Sequence, residues 1–236
     1  MVSGGLPSNL FTGREKIRSE LEMVRFLCLA IGYVFGLFQT GYIYGRMHGI
    51  DIRDHGSGNA GSTNMLRTLG TKAGLITFAG DCIKCILAVV LTRALFGKSH
   101  EDILPLLAFY AAAGTILGHN YPFYLKFRGG KGIAATAGLV LSFNWIMAVL
   151  GIIVFFTTFF VTHYVSLGSL LVYVGIMIEL VILGQSGYFH MSQAHLLELY
   201  GVALVLAVLA FWKHRENIKR LMNGTERKTY LSSKHK

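Results

Sequence analysis

Charged residues are scarce in this sequence. They make up 14% of its 236 residues, whereas about 25% is usual for a soluble domain. Hydrophobic residues make up 53%, and several apolar runs reach the roughly 20 residues that a helix needs to cross a bilayer. These runs lack the short alternating segments of membrane β-strands. The composition therefore predicts an all-α, polytopic integral membrane protein and excludes an ordinary soluble enzyme.

Cysteine is also rare, and its positions exclude a disulfide framework. The three residues Cys28, Cys82 and Cys85 all lie in apolar runs, and an odd number in such places does not predict paired bridges. Cys82 and Cys85 share the spacing of a redox motif, but on a membrane helix we interpret them as packing residues. No signal peptide is expected, because residues 1–22 contain no apolar stretch.

Several familiar catalytic motifs are missing. The sequence contains no His-x-x-x-x-Asp, no Gly-x-Ser-x-Gly and no His-Glu-x-x-His. These absences exclude the acyltransferases that act on acyl-CoA or acyl carrier protein through the first motif, and they leave a zinc site without support. The segment before Gly132 is not a nucleotide-binding P-loop, because Leu125 stands where that motif needs glycine.

The apolar runs predict the membrane spans. Breaks near residues 142–145 and 163–166 divide the longest run into three, so we expect seven transmembrane helices, or five if that run is counted as a single bent span. The predicted spans are Met23 to Tyr44, Ala73 to Phe96, Ile103 to Leu117, the run 133–184 and Leu196 to Trp212. Residues 1–22 are expected to be a tail or short surface helix, and 23–236 a single transmembrane domain.

Two features inside the spans carry separate predictions. Gly32 and Gly36 are four residues apart, which is typical of close packing between membrane helices. Asp81 and Lys84 lie one turn apart inside the second span. An ionisable pair at this depth indicates either a functional site or an ion pair that holds helices together, and the sequence leaves both open.

Lys and Arg predict the orientation in the membrane. The segment 46–72 has four of them, 118–132 has three and the segment from 213 onward has eight, whereas 97–102 has one and 185–195 has none. Because Lys and Arg favour the cytoplasmic side, we expect the first three segments and the C-terminus to be cytoplasmic. The N-terminus is then outside.

The cytoplasmic segments hold the candidate site. They combine many hydrogen-bond donors and cations with very few acids, and the turn Gly129-Gly130-Lys131-Gly132 precedes an apolar run, so that a phosphate could meet glycine N–H groups, a helix start and a lysine. These residues alone predict a membrane protein with a cytoplasmic phosphate-binding face. Its candidate residues are Ser57, Asn59, Asn64, Arg67, His119, Lys131, His214, Asn217, Arg220 and Glu226.

Three motifs in these segments carry a resemblance. Ser57-Gly-Asn-x-Gly-x-Thr-Asn64, Gly118-His-x-x-Pro with Phe127-x-Gly-Gly-Lys-Gly132, and His214-Arg-Glu-Asn-Ile-x-Arg-Leu-x-x-Gly-x-Glu226 resemble those of the bacterial acyl-phosphate:glycerol-3-phosphate acyltransferases, the PlsY family. The resemblance covers about residues 24 to 228. It implies a seven-helix plasma-membrane enzyme that transfers a fatty acyl group from acyl phosphate to the 1-hydroxyl of glycerol 3-phosphate, the first step of phospholipid synthesis.

The resemblance also implies roles for residues. The catalytic set is Ser57, Arg67, Lys131, His214 and Asn217, and the substrate-binding positions are Asn59, Thr63, Asn64, His119, Gly129, Gly130, Gly132, Arg220 and Glu226. The proton of the attacked hydroxyl could pass to the substrate phosphate or to a protein base, and the sequence does not choose between them.

The expected partners are acyl phosphate, glycerol 3-phosphate and the lipid bilayer. No metal, no cofactor and no nucleic acid is expected. Two other classes share parts of the pattern: a small-molecule transporter, which would show an inverted repeat, and a membrane protein that only binds an anionic, lipid-like ligand.

Overall fold

The computed structural model describes the backbone of residues 8–230 and the side chains of residues 15–230. Within this range the protein is helical, with short 3₁₀ turns and no strand. The helices are α1 (Ser8–Gly36), α2 (Thr40–Met47), α3 (Ser62–Leu69), α4 (Thr71–Phe96), α5 (Leu104–Asn120), α6 (Ile133–Phe143), α7 (Trp145–Thr162), α8 (Val165–Gln185), α9 (Gln193–Lys213) and α10 (Arg215–Met222).

Six segments in the described part of the chain are long and apolar enough to cross a membrane. They are Glu15–Met47, Thr71–Phe96, Glu101–Leu125, Trp145–Thr162, Val165–Gln185 and Gln193–Lys213. Helix α6 is apolar but shorter. These segments agree with an integral membrane protein whose spans are helical.

Helix α5 is the centre of the bundle, and it packs against α1, α4, α6 and α9. Its Leu106, Leu107 and Phe109 are fully buried. Small residues bring α1 and α5 close together: Gly32 and Gly36 face the backbone of α5, and Gly114 and Gly118 face that of α1. The prediction of close packing at Gly32 and Gly36 is thereby confirmed.

The first predicted span differs from the observed one. Its helix begins earlier than predicted, because residues 8–22 are the first part of α1. The part of the predicted tail before residue 8 lies outside the described residues. The helix then ends at Gly36, and α2 continues after a three-residue break. The break is stabilised locally, because Gln39 Nε2 donates to the carbonyl oxygens of Gly36 (3.0 Å) and His119 (3.2 Å).

The long apolar run divides as predicted into α6, α7 and α8. Asn144 separates the first two and caps α7, since its Oδ1 accepts the N–H groups of Ile146 (2.9 Å) and Met147 (3.2 Å). His163, with φ of 61°, ends α7. At 1.5 Å per residue, α6 is only about 17 Å long, well below the roughly 30 Å thickness of the hydrocarbon core.

One end of the bundle carries all three motif segments, and we call it the motif end. The first of them, the segment 46–72, contains a 3₁₀ turn and the helix α3. At the opposite end Arg25 makes a bidentate ion pair with Glu198, at 2.6 and 2.8 Å. Tyr110 donates a further hydrogen bond to Glu198, at 2.8 Å.

The glycine contacts between α1 and α5 predict a packing-sensitive position. A Cβ at Gly114 would collide with the carbonyl group of Leu29, so Gly114→Ala should destabilise the protein by about 1–3 kcal/mol. Gly151 in α7 is the matched control, because apart from its chain neighbours and the backbone of its own helix no described atom lies within 4 Å of its Cβ position. Thermal unfolding in detergent should show a lower Tm for Gly114→Ala and an unchanged or higher Tm for Gly151→Ala. Equal Tm values would contradict the packing.

Candidate active site

The first motif segment folds around the buried side chain of Asn64. Its Nδ2 donates to the carbonyl oxygens of Ile52 (3.1 Å), His55 (2.9 Å) and Asn59 (2.9 Å), and its Oδ1 accepts the N–H of Ser57 (2.8 Å). All these contacts are with the backbone of the segment itself. Asn64 therefore shapes the loop that carries Ser57, and its contact with a substrate stays a prediction.

The other polar residues of this segment lie around the start of α3. Asn59 Oδ1 accepts the N–H of Gly61 at 2.9 Å, and Thr63 lies in the first turn of the helix. Ser57 is exposed at the loop. Within residues 15–230 no hydrogen bond joins the Ser57 side chain to Lys131, and the role of Ser57 beside Lys131 stays a prediction.

The second motif forms a tight glycine turn, residues 129–132, against the end of α5. The N–H of Gly129 donates to the carbonyl oxygen of Asn120 (3.3 Å), and that of Gly130 donates to the carbonyl oxygen of His119 (3.1 Å). These two N–H groups therefore have acceptors in the protein's own backbone, and the binding of a phosphate at Gly129 and Gly130 stays a prediction.

Close approach explains why glycine occupies these positions. A Cβ at Gly129 would collide with the carbonyl oxygen of His119, and a Cβ at Gly130 would collide with the His119 ring. Gly132 has φ of 85°, which favours glycine, and it precedes α6. The first N–H groups of α6 lack intrahelical acceptors, as at every helix start, so they are the backbone donors that suit an anion beside Lys131.

The third motif centres on the buried carboxylate of Glu226. Its Oε1 accepts hydrogen bonds from Asn217 Nδ2 (2.6 Å) and Ser166 Oγ (2.8 Å), and its Oε2 accepts from Arg220 Nε (2.7 Å). Asn217 Oδ1 in turn accepts a hydrogen bond from Lys131 Nζ. The contact joins the second and third motifs, which are 86 residues apart.

Arg67 joins the first motif to the third. Its Nη2 donates to the carbonyl oxygen of Arg227 (3.1 Å) and to the hydroxyl of Thr229 (2.6 Å). The N–H of Thr229 donates to the carbonyl oxygen of His163 at 2.9 Å. The segment after α10 thus runs from α3 to the junction of α7 and α8.

These contacts define a cationic cluster, Arg67, Lys131 and Arg220 around Glu226. Burial, the largest cause, and the charges of Arg220 and Arg67 together lower the pKa of Lys131 to about 8, against the opposing effect of Glu226. Burial raises the pKa of Glu226, but hydrogen bonds from Asn217, Ser166 and Arg220 outweigh it and keep that pKa below its ordinary value. The cluster suits a ligand with negative charge.

The buried histidine of the third motif has one defined tautomer. His214 Nδ1 lies 2.8 Å from the carbonyl oxygen of Ala210, and a carbonyl can only accept, so Nδ1 carries the proton. Burial and the nearby Lys131 charge lower the pKa of His214 to about 4. His214 is therefore neutral at pH 7, with Nε2 as a hydrogen-bond acceptor.

Sequence reasoning missed three residues of this site. Ser166 binds Glu226, Thr229 binds Arg67, and Lys213 Nζ donates to the carbonyl oxygen of Asn120 at 3.1 Å. No feature of the sequence pointed to Ser166 or Thr229, because a single hydroxyl residue in an apolar run or a terminal segment is common. Lys213 could have been found from the sequence, since it directly precedes the third motif.

The chain belongs to the glycerol-3-phosphate acyltransferase family. The family profile described as "Glycerol-3-phosphate acyltransferase" matches residues 26–224. A glycerol-3-phosphate acyltransferase of Clostridioides difficile is 43% identical over 211 residues, which are 88% of this chain and 97% of that protein. One from Alkaliphilus metalliredigens is 41% identical over 207 residues, covering 87% and 96% of the two chains.

A solved structure supports the same relationship. The crystal structure of PlsY, an integral membrane glycerol 3-phosphate acyltransferase, in its glycerol 3-phosphate form matches with a TM-score of 0.74 and 29% identity, covering 87% of this chain and 96% of that one. The lysophosphatidic acid form matches with a TM-score of 0.72. The family predicted from the three motifs is thereby confirmed.

The close contact between the His119 ring and the glycine turn predicts that the stability effects of substitutions at His119 and Gly130 are coupled. Gly130→Ala should destabilise the protein by about 1–3 kcal/mol, because its Cβ overlaps the buried ring. In a His119→Ala background the same change should cost little, because the ring is gone. Thermal unfolding of the four proteins of this double-mutant cycle measures the coupling. Additive effects of the two substitutions would contradict the contact.

Proposed function

We propose that this protein transfers a fatty acyl group from acyl phosphate to the 1-hydroxyl of sn-glycerol 3-phosphate, and releases 1-acyl-glycerol 3-phosphate and phosphate. Family membership supports glycerol 3-phosphate as the acceptor. The hydrogen bond from Lys131 to Asn217 carries the proposal for the site, because it brings the glycine turn and the third motif together at one cationic cluster.

The cluster suits a reaction between two phosphate-bearing substrates. Acyl phosphate is a mixed anhydride whose phosphate is a good leaving group. The acceptor hydroxyl forms a bond with the acyl carbon, and the bond from that carbon to the phosphate oxygen breaks. Two anions must approach each other, so Lys131, Arg67 and the start of α6 contribute by binding and orienting them. Ser57 completes the proposed set from the first motif.

The proton of the hydroxyl has two candidate protein acceptors, His214 and His119. His214 has a free Nε2 acceptor, but with a pKa of about 4 it is a weak base. The Nδ1 of His119 is already engaged, because it lies 2.9 Å from Lys84 Nζ. We infer that His214 orients the hydroxyl and that the phosphate of the donor takes the proton.

The proposed setting is the bacterial plasma membrane. Helix α6 is the seventh span in this proposal, added to the six longer ones. The excess of Lys and Arg in the motif segments supports a motif end on the cytoplasmic side. That side would give the site access to a water-soluble acceptor, while the acyl chain of the donor stays in the bilayer.

Removal of the Lys131 charge tests the site. Lys131→Ala should lower kcat/KM for acyl transfer by a factor that corresponds to roughly 2–4 kcal/mol, the typical loss when one charge-stabilising donor is removed. Purified protein is incubated with acyl phosphate and glycerol 3-phosphate, with acyl-CoA as the control donor, and lysophosphatidate is measured.

Arg128→Ala is the matched control, because Arg128 is an exposed cation of the same loop, and its activity should stay close to that of the wild type. A folded Lys131→Ala with normal kcat/KM would refute the proposed site. The expected reaction needs no metal, so activity should persist in EDTA. A loss that Mg²⁺ or Zn²⁺ restores would contradict this part of the proposal.

The lowered pKa of Lys131 predicts an alkaline limit. Its charge is present below about pH 8 and is lost as the pH rises through that value, so kcat/KM should fall above about pH 8. Arginine keeps its charge at this pH. In Lys131→Arg the remaining activity should therefore decline only at higher pH. An unchanged alkaline limit in this variant would assign it to another group.

Thiol labelling tests the topology. In a background without Cys28, Cys82 and Cys85, which are all buried, single cysteines replace exposed residues. Ser99→Cys and Ser192→Cys should react with an impermeant thiol reagent from outside intact cells. Thr71→Cys and Asn223→Cys should react only after the membrane is opened. Labelling of Thr71→Cys from outside would place the motif end on the wrong face.

A further inference from the structure

Three ionisable side chains meet inside the bundle next to the candidate site. Asp81 is 1% exposed, Lys84 4% and His119 2%. An ionisable residue at membrane depth is costly and indicates a function by default. The proposed function assigns no role to Asp81 or Lys84.

Lys84 connects the break in the first span to this group. Its Nζ donates to the carbonyl oxygen of Phe38 (2.7 Å), to Asp81 Oδ1 (2.9 Å) and more weakly to the carbonyl oxygen of Gly36 (3.3 Å). The two carbonyls are left without helical partners between α1 and α2. Lys84 therefore satisfies the broken backbone.

The same ammonium group defines the state of His119. Lys84 Nζ lies 2.9 Å from His119 Nδ1, and an ammonium group has only donors. Nδ1 therefore accepts, and the ring proton is on Nε2. Asp81 neutralises the Lys84 charge beside it.

His119 contacts Gly130 through both its backbone carbonyl group and its ring. Its carbonyl oxygen accepts the Gly130 N–H at 3.1 Å. The Nε2, Cε1 and Cδ2 atoms of its ring are the three atoms that a Cβ at Gly130 would meet first. The next residue along the chain is Lys131, which binds Asn217.

We propose that Asp81 and Lys84 are positioning residues, which hold the His119 ring against Gly130 and so set the place of the glycine turn and of Lys131. Two buried charges in the membrane interior thus act on a site at the motif end through one histidine. The kinetic test rests on the proposed function, and a second test does not.

A purely structural role, confined to the helix break, predicts a different result. It would lower the amount of folded protein, and hence the maximal rate, but the folded molecules would keep their KM values. A displaced Lys131 would instead raise the KM for a phosphate-bearing substrate. KM is therefore the readout that separates the two roles.

The test uses the charge-neutral double variant Asp81→Asn/Lys84→Met, because either single change leaves an uncompensated buried charge. His119→Ala removes the link without touching the helix break. The matched control is Arg25→Met/Glu198→Gln, which removes the ion pair at the opposite end. We expect the KM for at least one of the two phosphate substrates to rise about tenfold in both network variants and to stay unchanged in the control.

The second test follows the turn without using activity. In the cysteine-free background, Lys131→Cys is labelled with a thiol reagent with and without the network substitutions. We expect the labelling rate to rise about fivefold when His119→Ala or Asp81→Asn/Lys84→Met is added, because the turn opens more often. Arg128→Cys should label at the same rate in all backgrounds.

The outcomes are distinct. Unchanged KM values for both substrates in the network variants, or an equal rise in the control, would overturn the positioning role. An unchanged labelling rate at Lys131→Cys would overturn it as well. If the wild type forms no lysophosphatidate, the proposed function fails, and the labelling experiment still decides the inference.

Discussion

The hydrogen bonds to one buried carboxylate determine the form of the motif end. Glu226 accepts from Ser166 on α8 and from Asn217 and Arg220 on α10. Asn217 is thereby oriented with its oxygen toward Lys131. A carboxylate offers about four acceptor sites, and donors from separate elements converge on it here. The cations gather at this point because Glu226 offsets part of their repulsion.

The membrane imposes the second requirement, that every backbone group at depth needs a partner. The break after Gly36 exposes carbonyl groups, and Lys84, Gln39 and the hydroxyl of Tyr124 bind them. The partners come from α4, from the break itself and from the second motif loop. The interruption of the first span is therefore connected to the loop that carries the glycine turn.

The sequence predicted the helices well because span length and helix breaks are local properties. It predicted the division at Asn144 and near His163, and the resemblance of the three motifs singled out Lys131, Asn217 and Glu226. It missed the break after Gly36, because Leu37 and Phe38 continue the apolar run. It also missed the contacts of Ser166 and Thr229, since these join residues that are distant along the chain and follow no period. The sequence also could not show that N–H groups of the glycine turn are bonded to the end of α5, because this depends on where α5 lies relative to the turn.

The short α6 fixes how far the glycine turn can lie from Asn144. Helix α6 has 11 residues, whereas the next helix, α7, has 18. At 1.5 Å per residue, α6 is about 10 Å shorter than α7. Asn144 is held in place as the cap of α7, so α6 is a short rigid spacer between that cap and the glycine turn. A change in its length would shift Lys131 by about 1.5 Å for each residue added or removed.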